Sequence, residues 1–117
     1  EKNATYFIGK NHVQNAYLVQ TLAQKNDYWF HIKDAPGAHV IVQTDLLDES
    51  VIRQAAQFAG YFSKFRHSSS IPINYTQIKY LKRISTQSGF QVTYKNESTI
   101  YIDLDIKTLE RKLNECK

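Results

Sequence analysis

A chain of 117 residues is long enough for one domain with a hydrophobic core and too short for two. An apolar fraction of 42%, with 13% aromatic residues, is ordinary for a globular protein and argues against disorder. The net charge is +4, and no apolar stretch approaches the roughly 20 residues that span a bilayer. No signal-peptide pattern opens the chain. The composition argues against a membrane-spanning protein, and it is compatible with either an enzyme or a binding module.

The sulfur-containing residues limit the chemistry further. A single cysteine, Cys116, excludes an internal disulfide and any multi-cysteine metal site, and it suits a reducing compartment. There is no methionine, even at position 1, so we expect the chain to be a piece of a longer protein.

The N-terminal quarter predicts a strand followed by a helix. Residues 5–8 are aromatic and β-branched, as in a strand. Asn11 or Asn15 can cap a helix that runs to residues 22–24, and Asn26 is suited to end it in a left-handed conformation.

Residues 27–42 form the most informative segment and predict a strand, a turn and a second strand. The segment contains the only Trp, two of the four His and one of the two Pro. Alternation places one set of side chains of the first strand toward the core: Tyr28, Phe30 and Ile32. The other set is predicted to face solvent: Trp29, His31 and Lys33. An aromatic side chain between basic groups is typical of a sheet that binds nucleic acid.

The connection between these two strands leaves one question open. Residues 35–38 fit a type II turn, with Pro36 at the second position and Gly37 at a positive φ. Type II turns do not match the twist of a hairpin, so the register across the turn is uncertain. A slip of one residue would move His39 to the opposite face of the sheet.

The best-defined helix is predicted from Asp45 or Asp48 to about Arg66. Apolar residues at steps of three and four predict its buried face: Val51, Ala55, Phe58, Phe62 and Phe65. Three basic side chains close this helix, and they can either complement the helix dipole or bind an anion: Lys64, Arg66 and His67.

The C-terminal part predicts more strands and a last helix. Residues 73–84 read as one strand, and a turn follows at residues 88–89. Residues 90–94 and 99–104 are predicted to pair as a hairpin, and Asp105 can cap the helix that follows. We therefore predict a single α+β domain in which an antiparallel β-sheet packs against two or three helices.

Positive charge is concentrated in one half of the sequence. No carboxylate occurs between Ser50 and Asn96, whereas seven basic residues do: Arg53, Lys64, Arg66, Lys79, Lys82, Arg83 and Lys95. An uncompensated basic stretch favours a polyanionic partner, because phosphate contacts gain from counterion release. The alternative is a solvated surface whose charges pair with acids elsewhere in the parent protein.

Catalytic and metal-binding patterns are weak. His31, Asp34 and His39 are the only cluster that resembles acid–base or metal chemistry, and their spacing matches no zinc pattern. There is no G-x-S-x-G elbow, P-loop or G-x-G-x-x-G motif, and Cys116 lies in a terminal helix where it would be a poor nucleophile. The sequence therefore favours a non-catalytic binding module without cofactor or metal.

A series of uncommon residues, in order, resembles the NFACT-R (NFACT RNA-binding) domain of the fibronectin-binding protein A, RqcH and NEMF family. The first half of the resemblance is carried by Gly9-Lys10-Asn11, Gln14-Asn15, Tyr17-Leu18 and Asp27-x-Trp29-Phe30-His31-x-Lys33-Asp34-x-Pro36-Gly37-Ala38-His39-Val40. The second half is carried by Ala55-Ala56, Ala59, Tyr61-x-Ser63-Lys64-x-Arg66, Tyr75-Thr76, Lys79, Lys82-Arg83 and Thr99-x-Tyr101. The sequence departs from the pattern at Ala38, where Ser is frequent, and at residues 84–88, where a Pro/Gly-rich stretch is usual.

The resemblance implies that residues 1–117 are the NFACT-R domain at the C-terminal end of a longer protein with an NFACT-N domain and a coiled-coil arm. Members of this family act in ribosome quality control, where they bind the obstructed large ribosomal subunit and recruit tRNA. This implies a cytoplasmic protein whose partners are RNA and the other domains of its own chain. Streptococcal members are also described as adhesins that bind fibronectin on the surface of these Gram-positive bacteria.

Together, charge and resemblance predict an RNA-binding surface. The predicted phosphate contacts are Lys64, Arg66, Lys79, Lys82 and Arg83. The predicted contacts to RNA bases or RNA shape are Trp29, His31, Lys33 and His39. The rival hypothesis is a protein-binding patch for fibronectin or the cell surface, led by Trp29 and the tyrosines, whose affinity would depend weakly on salt.

Overall fold

The computed structural model describes residues 4–84 and 89–115, and it confirms the predicted α+β class. Its strands and helices, in chain order, are β1 Ala4–Gly9, α1 His12–Tyr17, β2 Tyr28–Ile32, β3 His39–Thr44, α2 Glu49–Tyr61, β4 Ile71–Gln77, β5 Leu81–Ile84, β6 Gln91–Tyr94, β7 Ser98–Ile102 and α3 Ile106–Glu115. Five strands form an antiparallel sheet in the order β1-β3-β2-β4-β7, and β5 pairs with β6 in a small second sheet. No helix within the described ranges is both long and apolar enough to cross a membrane.

One face of the large sheet packs on α2 and forms the main core. Phe30 and Ile32, predicted to point inward, are fully buried there. Val51 and Phe58 of α2 lie in the same cluster, as the helical periodicity predicts. The carboxylate of Asp48 accepts a hydrogen bond from the backbone N of Val51 at 3.0 Å and begins the helix.

Helix α2 ends at Tyr61, so its predicted extension to Arg66 is wrong. The chain turns away because its backbone bonds to the loop before β3. Ala38 N donates to Phe62 O at 3.1 Å, and Gly37 forms a β-bridge with Ser63. Phe65 consequently leaves the apolar stripe and is 40% exposed.

The opposite face of the sheet carries a second, smaller core, which corrects the prediction of a solvent-exposed tryptophan. Trp29 is only 1% exposed and packs with Leu18 and Ile41. The β5–β6 hairpin covers it, because Leu81 and Tyr94 of that hairpin pack against the same cluster. Trp29 therefore lies on the predicted face, but that face is largely covered.

The pairing of the C-terminal strands also differs from the prediction. The predicted strand of residues 73–84 is interrupted by a 3₁₀ turn at Ile78–Tyr80, where Ile78 N bonds to Asp27 O at 2.9 Å. This turn moves β5 off the large sheet, and β5 pairs with β6. Strand β7 pairs with β4, so the predicted hairpin between residues 90–94 and 99–104 is wrong.

Two predicted chain reversals are also wrong in detail. Asp34, with φ of 57°, is the residue with a positive φ before β3, whereas Gly37 has no positive φ and the type II turn does not form. Asn11 caps α1, which continues as a π-helical turn at Leu18–Leu22. That turn ends in extended backbone at Ala23, so Asn26 does not end the helix.

The remaining predictions concern the C-terminal end of the chain. Asp105 caps α3 as predicted, accepting from Thr108 N at 3.3 Å. Three features named in the sequence analysis lie outside the described residues: Ser88 of the predicted turn, residues 85–88 of the stretch that departs from the family pattern, and Cys116.

Candidate nucleic-acid interface

An open groove of about 1000 Å³ lies between the sheet, the start of α1 and the β5–β6 hairpin. Its floor contains three side chains of the 27–42 segment: Trp29, His31 and His39. Its walls are formed by residues that flank the floor on both sides: His12, Asn15, Phe90, Val92 and Tyr94. Two cations, Lys10 and Lys64, also line it. The antiparallel register of β2 and β3 places the histidines side by side, which answers the question that the sequence left open about His39.

The buried contact between Trp29 and His39 fixes the state of the imidazole. Trp29 Nε1 donates a hydrogen bond to His39 Nδ1 at 3.0 Å. Burial, with smaller repulsive contributions from His31 and His12, lowers the pKa of His39 from 6.5 to about 3. His39 is therefore neutral near pH 7, and because Nδ1 is the acceptor, its single ring proton is on Nε2.

His31 stacks on the indole and is held by the backbone. Its ring is 5.5 Å from that of Trp29 with an interplanar angle of 3°, and its Nδ1 donates to Ile32 O at 2.6 Å. Burial also lowers the pKa of His31, against smaller opposing effects of the Ile32 and Gly37 backbone. The floor of the groove is thus aromatic, polar and uncharged near neutral pH.

Long-range hydrogen bonds hold the walls in place. Asn15 in α1 accepts a hydrogen bond from His39 N at 3.4 Å, and its side chain is buried. His12 Nδ1 accepts from Phe90 N at 3.1 Å, which joins α1 to the strand β6 side of the groove. Tyr94 OH accepts from Asn74 Nδ2 at 2.9 Å and ties β6 to β4.

The predicted phosphate contacts do not all lie in one place. Lys64 lines the groove, because the chain leaves α2 and bonds to the loop before β3. Arg66 lies instead against α3: its Cζ is 4.0 Å from the centre of the Tyr61 ring, and its Nη2 is 3.8 Å from Glu110. Lys33 is exposed, but its side chain does not line the groove.

The other three predicted cations lie on or just before the β5–β6 hairpin. Lys79, Lys82 and Arg83 are all exposed. Arg83 comes nearest to the groove, with its Cζ 5.9 Å from the centre of the Phe90 ring. When the Gln20 amide oxygen faces it, that oxygen accepts from Arg83 Nε at 3.2 Å and Nη1 at 2.7 Å.

In the described part of the chain, no three His, Cys, Asp or Glu side chains are grouped as metal ligands, and this covers His31, Asp34 and His39. What the groove offers is hydrogen-bonding imidazole and amide groups, aromatic rings and two ammonium groups.

Comparison with known proteins identifies the family. The profile of the NFACT protein RNA binding domain matches residues 1–99. The chain belongs to the NFACT RNA-binding domain family. The Rqc2 homolog RqcH of Bacillus subtilis is 40% identical over 105 residues, which cover 90% of this chain and 18% of that protein. The Rqc2 homolog RqcH of Streptococcus suis is 43% identical over 98 residues, which cover 81% of this chain and 17% of that protein.

A solved structure shares the fold. The C-terminal part of the fibronectin/fibrinogen-binding protein from Streptococcus suis superposes with a TM-score of 0.84 at 34% identity. The match covers 92% of this chain and 44% of that one. The chain spans less than a fifth of the length of the two RqcH relatives.

Sequence reasoning about the NFACT RNA-binding domain missed several residues that form the groove. Lys10 and Asn15 belong to the motifs that carry the family resemblance, so a signal was present for both, but the motifs alone indicate no chemical role for either. His12 and Phe90 carry no local signal, because their contact joins positions 78 residues apart in the sequence.

Proposed function

We propose that this domain is the non-catalytic RNA-binding module of a ribosome quality control protein of the RqcH kind, binding tRNA or the large ribosomal subunit. Family membership supports RNA as the ligand class. The observation that carries the proposal is the groove, in which cationic side chains border a floor of neutral, hydrogen-bonding aromatic groups. Single-stranded RNA is bound by this combination, with bases on aromatic groups and phosphates on cations.

The charge of the groove supports this assignment. Lys10 and Lys64 contribute two positive charges, and Asp34 is the only carboxylate among the described residues that line it. Lys10 is held in place by the Phe62 ring, whose centre is 4.8 Å from Nζ. An excess of ammonium groups in a concave site attracts phosphate and makes binding depend on salt.

The hairpin cations extend the proposed interface beyond the groove. Arg83 lies over Phe90, a wall of the groove, so an RNA strand leaving the groove there would meet its guanidinium. Lys79 and Lys82 precede Arg83 along the same segment and are exposed. We therefore propose that Lys64 and Arg83 contact RNA at the groove. Lys79 and Lys82 would contact RNA that continues from the groove along the segment before Arg83.

Titration of the domain with tRNA at several salt concentrations tests the proposal. Lys10→Ala combined with Lys64→Ala should reduce the slope of log K against log salt by about 0.7–0.9 for each phosphate that these lysines neutralise. The matched control is Lys107→Ala with Arg111→Ala, which removes the same charge from exposed positions of α3. An unchanged slope in the groove variant, or an equal decrease in both variants, would show that the groove does not bind the phosphates.

The longer protein is also part of the proposal. Since the chain covers less than a fifth of the RqcH relatives, we propose that residues 1–117 are one domain of a longer cytoplasmic chain. Its remaining domains would be further partners, and neither cofactor nor catalytic residue is assigned to this domain. Size measurement of the native protein in bacterial lysate by immunoblot tests this, and a native species no longer than this chain would refute it.

A second candidate function is binding of fibronectin, with display on the bacterial surface. It is favoured by the name of the structurally similar protein from Streptococcus suis, a fibronectin/fibrinogen-binding protein. Burial of Trp29 removes the residue expected to lead an aromatic patch. The exposed tyrosines Tyr17, at 55%, and Tyr101, at 62%, remain as candidate contacts, together with Phe65 at 40%. Titration with fibronectin at two salt concentrations tests this function, which predicts weak salt dependence and loss of affinity in Tyr17→Ala and Tyr101→Ala.

A further inference from the structure

Two buried side chains that line the groove, His39 in its floor and Asn15 in its wall, have hydrogen-bond donors without a partner among the described residues. His39 is 6% exposed, and its Nε2–H has no partner among the described residues, although the atom is not sealed from solvent. Asn15 is also 6% exposed, and its amide oxygen accepts from His39 N at 3.4 Å. Its Nδ2 group likewise has no partner within the described ranges and is not sealed. Because neither donor has a protein partner among the described residues and both are open to solvent, each is free to donate to an acceptor that enters the groove, either water or a ligand.

The protein fixes which nitrogen of His39 carries the proton. The indole N–H of Trp29 occupies Nδ1 at 3.0 Å, which forces the proton of a neutral ring onto Nε2. Trp29 is 1% exposed and packed against Leu18 and Ile41, so the indole cannot easily turn away. Trp29 is thus a positioning residue that prepares His39 as a donor.

The surroundings of these donors fit an uncharged, flat ligand better than a phosphate. The Phe90 ring is 5.7 Å from that of His39, and Tyr94 lies 4.8 Å from Trp29, so the walls next to the donors are aromatic. His39 resists protonation in this setting and so cannot readily neutralise an anion placed against it. The ammonium groups that could do so, Lys10 and Lys64, are in the same groove but belong to other segments of its lining.

We propose that the groove takes the base of an unpaired RNA nucleotide, whose edge accepts a hydrogen bond from His39 Nε2 and a second from Asn15 Nδ2. The phosphates on either side of that nucleotide then lie toward Lys10 and Lys64. This inference rests on the proposed RNA-binding function and specifies its ligand as single-stranded rather than duplex RNA. A base within a duplex is stacked between its neighbours and has its Watson–Crick edge paired, so its ring cannot enter the groove.

The first experiment separates base binding from phosphate binding without changing the protein. The domain is titrated with a short oligouridine and with the same ribose-phosphate chain lacking its bases. Loss of a stacked base lowers affinity by about 5- to 150-fold in such sites, while the phosphate charge is unchanged. In protein labelled with ¹⁵N at histidine, the Nε2 resonance of His39 should shift with oligouridine and stay in place with the abasic chain.

The second experiment replaces the imidazole of His39 with an aromatic ring that has no donor, and this also removes the acceptor that Trp29 Nε1 uses. His39→Phe should weaken oligouridine binding by about 3- to 10-fold, as expected for one net hydrogen bond, and should leave abasic binding unchanged. His67→Phe is the matched control, because His67 is exposed and does not line the groove. Trp29→Phe removes the donor to Nδ1, so the ring proton of His39 should no longer be restricted to Nε2. The ¹⁵N shifts of the unliganded His39 ring report this directly.

The outcomes separate this inference from the proposal on which it rests. Equal affinity for oligouridine and the abasic chain, with an unmoved His39 resonance, would overturn the base site and leave salt-dependent RNA binding standing. If the domain binds neither of the two oligomers and does not bind tRNA, both the base site and the proposed RNA-binding function are overturned. Should His39→Phe not fold, the two titrations and the histidine spectrum of the unsubstituted protein still decide the question.

Discussion

His39 combines deep burial with an ionisable ring, which makes it sensitive to acid. The ring accepts from Trp29 at 3.0 Å, and the T-shaped contact with His31 places a second imidazole 4.9 Å away. Protonating His39 would add a charge where water is largely excluded and would remove the acceptor that Trp29 uses. The folded protein consequently prefers the neutral ring, as the low pKa of His39 reflects.

Acid should therefore destabilise the domain before its carboxylates titrate. The unfolded chain binds a proton at His39 near pH 6.5, whereas the folded chain does so only near pH 3. Across that window the unfolded state binds more protons, so the free energy of unfolding falls as pH falls, by up to about 1.4 kcal/mol per pH unit. His31, whose pKa is also lowered, acts in the same direction.

Urea unfolding between pH 7 and pH 5 measures this loss. His39→Phe should show a shallower pH dependence than the unsubstituted chain, and His67→Phe should not differ from it. If the three proteins lose stability in parallel, His39 is not the group responsible.

The local chemistry of residues 27–42 was predictable from sequence, but its surroundings were not. Alternation assigned Trp29 and His31 correctly to one face of β2, because side-chain direction in a strand depends only on position. Whether that face is open depends on a hairpin that begins at Leu81, far along the chain. No local pattern contains that information, and the tryptophan was therefore predicted to be exposed.

A buried polar contact joins the β5–β6 hairpin to the large sheet. Asn74 in β4 is 3% exposed, donates to Tyr94 OH at 2.9 Å and accepts from Thr99 Oγ1 at 2.6 Å. Because the hairpin also covers Trp29, this contact holds one wall of the groove against its floor. The hydroxyl of Tyr94 links the packing of the small sheet to the shape of the groove.

Tyr94→Phe should keep the ring and remove that link. Loss of the hydroxyl leaves the Asn74 amide donor buried without a partner, which costs about 1–3 kcal/mol. Tyr101→Phe is the matched control, since Tyr101 is 62% exposed on β7 and should change stability little. Thermal or urea unfolding of both variants measures the difference, and equal stability of the two would show that the Asn74 contact contributes nothing.

The strand pairing shows why element prediction was only partly successful. Residues 73–84 and 99–104 were predicted as strands from composition, and the structure has strands at Ile71–Gln77, Leu81–Ile84 and Ser98–Ile102. The strand of residues 99–104 was paired with its neighbour at residues 90–94, but β7 pairs with β4 and not with β6. The cause is the 3₁₀ turn at Ile78–Tyr80, which is fixed by backbone bonds to Lys25 and Asp27. Such tertiary bonds leave no mark in the local sequence.

In the folded domain, the basic side chains lie on separate surfaces. Sequence reasoning placed the cations of residues 64–83 on one patch, since no carboxylate lies near them in the chain. In the fold, Arg66 meets Glu110 from α3, a partner from beyond the carboxylate-free stretch. Lys64 turns to the groove, and Arg83 lies over Phe90 on the hairpin. The predicted convergence therefore fits Lys64 and Arg83 better than it fits Arg66.

This division predicts different consequences for the two groups of cations. Lys79→Ala, Lys82→Ala and Arg83→Ala together should lower the salt slope of tRNA binding by about 0.7–0.9 for each residue that contacts a phosphate. Arg66→Ala should leave the slope unchanged, because its guanidinium already stacks on Tyr61 and faces Glu110. Its effect should instead appear in unfolding experiments, through weaker packing between the end of α2 and α3.

Measuring both quantities on both variants makes the comparison decisive. If the triple variant binds tRNA with the slope of the unsubstituted domain, the hairpin is not part of the interface and RNA binding is confined to the groove. If Arg66→Ala lowers the slope as well, the RNA must reach the α3 side of the molecule. Lys10 contacts Phe62 and lines both the groove and the space beside Glu110, so a strand that continues from one space into the other there would pass it. Adding Lys10→Ala to Arg66→Ala should then lower the slope further, because Lys10 lines the groove and is itself a proposed phosphate contact.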